Sequence, residues 1–365
     1  MSYLNVKIVH SLPEADWRRF ITENSNSNIF HTPEMFQVFS LTKGYRPVLW
    51  AVLINGCVRA LLLSVQITLF ESLPRLFSTR AIIHGGILYN PDVEGQQALR
   101  YLLSAYIRET KGTILFTEVR NINDVKSVHP VFLENGFIYE EHLNYLIDLT
   151  KSSDELFKSI NKSGRKAIKR AQHRGVTVEE IHNRELIPIY YDLLMQTYQR
   201  ARVPLTDMSF FEAVMDILVP KGMAKMFLAR VDNLAAAVSL ELPFKQGIFS
   251  MFSGYDSKFR HAYTNDLIVW CILEWGETNG YSCFDFGGAG RPSEKYGPRE
   301  FKAKFGGTLV NFGRYTYVHN PLALALCRII YWLYRYVIAI GVRRPVSDVF
   351  KKRPALPQNN VSGIE

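Results

Sequence analysis

Two long stretches of this sequence can be laid over one another, and that self-similarity narrows the folds open to the chain more than any other feature. AVLINGCVRALLL (51–63) reads as a strand, an Asn-Gly turn and a second strand, and LARVDNLAAAVSL (228–240) repeats it with Asp-Asn in the turn. Such residues supply the positive φ that a two-residue hairpin needs. LRYLLSAYIRETKGTILFTEV (99–119) is an amphipathic helix ended by Gly112 and followed by a buried strand. LIVWCILEWGETNGYSCFDFG (267–287) repeats it around a shared E-T-x-G. FLENGFIYEEHLNYLIDL (132–149) and FKAKFGGTLVNFGRYTYV (301–318) both read as a short helix, a glycine and a β-hairpin. The matches recur in the same order at an offset of about 170 residues, so the chain is read as an internal duplication.

Each copy mixes helices and strands, which predicts α/β domains with helices layered on a central sheet. No GxGxxG follows a strand and no GxxxxGK[ST] occurs, so nucleotide-binding folds are disfavoured. At 365 residues and 47% hydrophobic content the chain suits two domains. We expect domains at 1–149 and 150–320, with Ser153 capping the first helix of the second, then an apolar helix at 321–343 and a basic, disordered tail at 344–365.

Charge is concentrated. Positions 158–174 carry seven basic residues and no acid, and 321–365 carries seven basic residues against two acids, within a net charge of +9. Localised patches point to anionic partners. The helix expected at 156–174 places Lys158, Lys162, Arg165 and Lys169 on one stripe, widened by Lys166, Arg170 and Arg174. Such a stripe fits a phosphate backbone or a pyrophosphate-linked sugar. Cys57, Cys271, Cys283 and Cys327 stand alone, and His31, His84 and His261 share no ligand spacing, so neither disulfides nor a metal is expected. With no signal-peptide pattern at the N-terminus, a cytoplasmic protein is expected.

Several segments resemble the FemABX family. DLIVWCILEWGETNGYSCFDFGGAG (266–290) resembles its helix leading into a D-F-G-G strand end. REFKAKFGGTLVNFGRY (299–315) is similar to its F-K-x-x-F-G-G segment. SINKSGRKAIKRAQHRGVTVEE (159–180) resembles its basic helix, and NIFHTPEMFQVF (28–39) its first-domain entry motif more loosely. The resemblance implies two GNAT-like acyltransferase domains in tandem. It further implies transfer of an aminoacyl group from aminoacyl-tRNA to an amine on a peptidoglycan or other cell-envelope precursor. The wider BioF2-like relatives imply other acyl groups, so an acyl-CoA donor in polysaccharide modification stays open, as does a non-catalytic RNA- or lipid-binding protein. No R-x-x-G-x-[GA] loop for the CoA pyrophosphate is found, which disfavours CoA, and no bound cofactor is expected.

Acyl transfer to an amine needs donors for a tetrahedral oxyanion and a held, deprotonated amine. No GxSxG or Cys-His pair offers a covalent nucleophile, in keeping with direct attack. Lys302 and Lys304 are the candidate oxyanion or phosphate groups. Two apart on a short helix, they point to different sides, and their first-copy equivalents are Leu133 and Asn135. Asp285 is the candidate to orient the amine or take its proton, or else it caps the turn by an Asx bond; Glu300 is a weaker base. Gly287 and Gly288 allow a ligand close to the backbone. Arg165, Lys166 and Lys169 are expected to bind substrate, and Tyr255 and Arg260 to line the cleft. Removing Lys302 is expected to cost turnover more than stability.

PLALALCRIIYWLYRYVIAIGV (321–342) holds only Arg328 and Arg335 as charges. A spanning helix would bury both in hydrocarbon. An in-plane helix with Tyr331, Trp332, Tyr334 and Tyr336 at the headgroups suits peripheral attachment to the inner membrane face, where the following basic residues meet anionic lipid.

Overall fold

The structure, a computed structural model, describes residues 5–68, 75–327 and 329. Its strands are β1 (Val6–Val9), β2 (Tyr45–Ile54), β3 (Cys57–Thr68), β4 (Thr79–His84), β5 (Leu88–Tyr89), β6 (Phe116–Arg120), β7 (Ile138–Glu140) and β8 (Leu143–Asp148). They continue as β9 (Thr177–Glu180), β10 (Lys225–Val231), β11 (Leu234–Phe244), β12 (Gly247–Tyr255), β13 (Cys283–Gly288), β14 (Thr308–Asn311) and β15 (Arg314–Val318). The helices are α1 (Glu14–Glu23), α2 (Pro33–Leu41), α3 (Arg75–Ser78), α4 (Val93–Thr110), α5 (His129–Glu134) and α6 (Ser153–Ser159). After them come α7 (Lys162–His173), α8 (Ile187–Ala201), α9 (Met208–Ile217), α10 (Thr264–Thr278) and α11 (Gly297–Ala303).

Among the described residues these strands form two mixed sheets. One runs β1-β2-β3-β4-β6-β15-β7 with β5 on β3; the other runs β14-β8-β13-β12-β11-β10-β9. The β2–β3 and β10–β11 hairpins form where the turn chemistry placed them, with Asn55, Asp232 and Asn233 at positive φ. The last strand of each copy behaves differently. The hairpins read at 132–149 and 301–318 do not close. β8 leaves its own copy and enters the second sheet between β13 and β14, while β15 enters the first between β6 and β7. The register runs without a shift from Ile138↔Thr316 to Leu146↔Thr308, so the two segments form one antiparallel ribbon threading both sheets.

The reason lies in the links. Glu141 and His142 join β7 to β8, and neither takes the positive φ that a two-residue hairpin requires. They run on past the matching link, Phe312-Gly313, where Gly313 N donates to His142 O at 3.2 Å and His142 N to Asn311 Oδ1 at 3.0 Å. The boundary expected at 149/150 therefore does not separate the sheets, and residues 1–320 form one compact unit.

Helix α4 covers one face of the first sheet, with Leu99, Leu102 and Tyr106 against Trp50, Val119 and Tyr315. Helices α7 and α10 cover the second through Ile168, Leu267, Trp270 and Ile272. A further core joins the copies: Phe30, Phe39 and Ile82 pack with Tyr190, Phe210, Phe211 and Leu240.

Two polar links reinforce that junction. Lys245 Nζ donates to Ile21 O, Thr22 O and Asn24 O at the end of α1. Glu34, 4% exposed, accepts from Arg18 at 2.7 Å and Lys221 at 2.9 Å. Burial pushes the Glu34 carboxyl up, but these hydrogen bonds outweigh it and hold it at about 2. A depressed carboxylate stabilises the fold above its unfolded value, 4.5, and loses that contribution as pH falls towards 2. Arg18 and Lys221 are about half exposed, so solvent screens both pairs, and Glu34→Gln should cost about 1–2 kcal/mol at pH 7. In urea melts, the gap from the parent should close between pH 4.5 and 2; a gap unchanged at pH 2.5 would show the cost is not electrostatic.

The helix expected at 156–174 is broken into α6 and α7. Ile160 and Asn161 are extended; Asn161 accepts from Gly164 N at 2.8 Å as the cap of α7, and its own N–H goes to Lys304 O at 2.8 Å. The cap of α6 is Ser152, one residue before the one expected, in a capping box with Glu155. The Gly306-Gly307 pair explains why this junction can come so close. Both have positive φ; a Cβ on Gly306 would lie 3.0 Å from Ser159 O at the junction, and one on Gly307 2.4 Å from Leu146 O on β8. Gly307→Ala should cost at least about 3 kcal/mol, read as a lower urea midpoint; a loss under about 1 kcal/mol would mean that the ribbon can move aside.

Residues 321–327 are helical, and 321–365 is a separate unit. The rest of the helix expected at 321–343, with Arg328, Arg335 and the aromatic belt, and the tail at 344–365 lie outside the described residues, Ile329 apart. Among the described residues no helix is long and apolar enough to cross a membrane.

Candidate functional site

The parallel strands β12 and β13 pair only from Gly247↔Cys283 to Phe249↔Asp285. Beyond that point β12 stays on β11, bulged between Leu240 and Glu241, and β13 stays on the exchanged β8. A gap thus opens between Ser250–Tyr255 and Phe286–Gly288. Asp285 stands at its origin, 8% exposed. Its Oδ1 accepts from Gly287 N at 2.7 Å, an Asx turn, and both its oxygens accept from Asn144 Nδ2 on β8 at 3.1 and 3.0 Å. Burial pushes its carboxyl up to about 6 against those donors. Gly287 needs its φ of +70°, and a Cβ there would sit 3.1 Å from Ser250 O.

Helix α11 lays Lys302 over this strand end. Its Nζ donates to the carbonyls of Phe286 at 2.6 Å, Gly287 at 3.3 Å and Gly288 at 2.8 Å. Burial lowers the amine to about 8, opposed by the charges of Asp285 and Glu241. The carbonyls favour the ammonium form. Lys304 turns the other way, to Asp266 Oδ1 on α10 at 3.3 Å and over the Phe301 ring. Phe305, fully buried against Phe286 and Phe301, fixes the helix between them.

Glu241 joins this site unforeseen. It is 0% exposed; Oε1 accepts from Ser239 Oγ at 2.5 Å and Ser250 Oγ at 3.2 Å, and Oε2 has no partner among the described residues. Burial pushes it up to about 8. The signal was present: an acid inside the apolar run AAAVSLEL is out of place in a buried strand unless it has work there.

Comparisons with known proteins bear on the sequence relationships and the fold. Residues 158–303 match the acetyltransferase (GNAT) domain family. The lipid II:glycine glycyltransferase of Staphylococcus aureus (strain MRSA252) is 26% identical over 233 residues, covering 58% of this chain and 52% of that protein. The Staphylococcus epidermidis enzyme of the same name is 25% identical over 234 residues, covering 58% and 53%. This chain thus spans about half the length of the curated relatives it matches. Among solved structures, FemX superposes with a TM-score of 0.66 at 18% identity, covering 88% of this chain and 100% of that one. A tandem GNAT protein from the clavulanic acid biosynthesis pathway superposes at 0.55 and 11% identity, covering 87% and 99%. The chain has a tandem GNAT fold similar to that of FemX.

The remaining expected site residues fall differently. Arg165 is half-buried and donates to Lys158 O at 2.9 Å and to Ile160 O, so it ties the α6–α7 break. Because of that break, Lys158 does not share a helix with the α7 bases. Lys166 and Lys169 are exposed, the latter over the Phe157 ring. Tyr255 lies under the Arg200 guanidinium at 4.8 Å, with its carbonyl accepting from Arg200 at 2.6 Å. Arg260 is exposed on the turn Ser257–Ala262. Hydrogen bonds thus join Asp285, Gly287, Gly288 and Lys302, with Asn144 added from the exchanged strand. A cleft of about 480 Å³ between the copies is lined by Arg18, Glu34 and Lys245, which make the structural links described above.

Proposed function

We propose that this chain transfers an acyl group, first of all an aminoacyl group, to an amine on a lipid-linked cell-envelope precursor. The observation that carries the proposal is the Lys302 ammonium, held by three successive carbonyls at the mouth of the β12–β13 gap. In the reaction the acceptor nitrogen attacks the ester carbon, the ester C–O bond breaks, and the leaving oxygen takes up a proton as the amine loses one. Of Lys302's three bonds, that to Gly287 O at 3.3 Å is the longest, and exchanging it for the substrate oxygen puts an ammonium donor on the developing oxyanion. Asp285, with three hydrogen bonds accepted, keeps lone-pair capacity for the amine proton, and a carboxyl near 6 is ionised at neutral pH.

For the donor we propose aminoacyl-tRNA, its backbone on α7, where Lys162, Lys166, Lys169 and Arg170 are exposed with no acid among them. The lipid-linked acceptor makes the inner membrane face the place of action we propose. The test is to incubate the purified protein with charged tRNA or acetyl-CoA and a lipid-linked amine acceptor, and to weigh the acceptor. An aminoacyl mass increment from charged tRNA is expected, lost or weakened in Lys166→Ala/Lys169→Ala with a shallower salt dependence. An acetyl increment alone would establish the acyl-CoA reading, and no increment with either donor the non-catalytic one. Arg165 is unsuited to this test, because its removal loosens the α6–α7 junction.

A further inference from the structure

The transfer as written leaves Glu241 unused. Strand alternation puts Ala237, Ser239 and Glu241 on one side of β11, the side on which Ala237 joins the core under α10. Ser250 stands opposite Glu241 on β12 and shares that side with Ile248, a member of the same core. From β13 this side takes Phe286, and Lys302 lies over that ring at 5.9 Å. The strand ends are close here: a Cβ on Gly287 would sit 3.1 Å from Ser250 O, and Gly287 O accepts from Lys302. Glu241 and Lys302 thus approach the gap from its two rims on one face of the sheet.

The other charged groups around Glu241 are engaged elsewhere. Lys225, opposite it on β10, donates to both oxygens of Glu180 at 2.8 and 2.9 Å and lies against Trp275. On α10, Asp266 holds Lys304. On the other face of the sheet α8 supplies Tyr190, a phenol that burial keeps neutral. The cation that acts on Glu241 is Lys302, and Glu241 acts with Asp285 on Lys302 in return. Burial pushes the acid up to about 8 and the amine down to about 8, so a proton passes between them at little cost. At neutral pH Glu241 is therefore a carboxylic acid. Oε1 accepts from both serines, which leaves the proton on Oε2, the oxygen with no partner among the described residues. An unpaired buried hydroxyl costs stability, and a glutamine or leucine would fill this strand position without carrying a proton.

We propose that Glu241 is the proton reserve of Lys302. As the acceptor nitrogen bonds to the ester carbon, the electron pair of the breaking C–O bond leaves on oxygen, which takes a proton from the Lys302 ammonium. Lys302, now a neutral amine, takes the proton of Glu241, and the cation is restored without water entering the gap. After product leaves, solvent returns to the Glu241 carboxylate one proton and removes from Asp285 the one given up by the acceptor amine, so none is consumed. Glu241 touches no reacting atom; it is a positioning residue that acts through Lys302. The proposal rests on the acyl-transfer reading.

The test is Glu241→Gln in the full chain, which keeps the size and the acceptor for both serines but has no proton to give. Its kcat should fall about tenfold with KM little changed. Lys302→Arg does not give up its proton and has no use for a reserve, so the losses of Glu241→Gln and Lys302→Arg should not multiply in the double variant. Thermal melts give a measure free of activity. A carboxyl raised by folding stabilises the fold below 4.5 and loses that contribution as pH rises through 8, so the parent should lose Tm against Glu241→Gln across this window. An unchanged kcat, losses that multiply, or a Tm difference that stays constant from pH 4.5 to 8 overturns the reserve. If Lys302→Arg is too slow to follow, kcat of the single variant and the melts decide. A parent that transfers no acyl group from either donor removes the proposed function and the reserve with it, whereas an active parent matched by Glu241→Gln removes the reserve alone.

Discussion

Fragments 1–149 and 150–320, produced separately, are expected to remain unfolded, and to recover native structure only when mixed. Each fragment would lack an internal strand of its own sheet. Without β15 the first sheet loses five register pairs on β6, and β7 loses its sole neighbour in the strand order. Without β8, β13 and β14 have no strand between them. Tyr315, 1% exposed, stacks on Phe132 with ring centroids 4.1 Å apart and bonds His129 at 2.8 Å; losing so large a buried aromatic costs about 3–5 kcal/mol. The core shared by Phe30, Phe39, Phe210 and Phe211 would be cut in the same step. Together these losses exceed the margin of roughly 5–15 kcal/mol by which domains are stable. Near-ultraviolet circular dichroism and thermal melts of each fragment, of the mixture and of the intact 1–320 chain would check this. A cooperative transition in either fragment alone would show that the ribbon is dispensable and that the 149/150 boundary is a true domain boundary.

The duplication was legible because it is written in periodicity and turn chemistry, which are local. Asn55-Gly56 and Asp232-Asn233 specify hairpins by themselves. The exchange of β8 and β15 is non-local: a strand with the right alternation can pair with its neighbour or with its counterpart in the other copy, and nothing in that alternation decides between them. One local clue existed, in that Glu141-His142 lacks residues suited to a hairpin turn. The α6–α7 break was equally signed by Asn161, a cap residue three before Gly164, but the basic stripe reads as continuous when only charge is followed. At the site, the pairing of D-F-G-G with F-K-x-x-F-G-G was visible. Which lysine turns to the strand end was not, since it depends on Phe305 seating the helix. Glu241 has no motif around it; its partners are Ser239, two residues earlier on the same face of β11, and Ser250, directly opposite on β12.

Lys302→Met is expected to lower acyl transfer by about 10²–10³-fold, the usual cost of one oxyanion donor, with a measurable loss of stability as well. The sequence alone suggested a lysine nearly free of the fold. In the structure its amine satisfies the carbonyls of Phe286, Gly287 and Gly288, and removing it leaves those acceptors short of partners at about 1–3 kcal/mol in total. Activity must therefore be compared at a temperature where both proteins are folded. The pH profile separates the chemical role from the structural one. With the amine at about 8, the ammonium is lost as pH rises from 7 to 9, so kcat/KM should fall on the alkaline side if the charged form is the donor. Lys302→Arg keeps a cation that does not titrate in this range. Whatever activity it retains should hold level where the parent declines. The acceptor amine acts in the opposite sense, since its own deprotonation raises the rate with pH, so an alkaline fall in the parent cannot come from the acceptor. An arginine variant that declines with the parent would move the titrating group elsewhere, with Glu241, at about 8, next to be examined by Glu241→Gln. A Lys302→Met protein that is folded and fully active would leave the three carbonyls as this lysine's whole purpose.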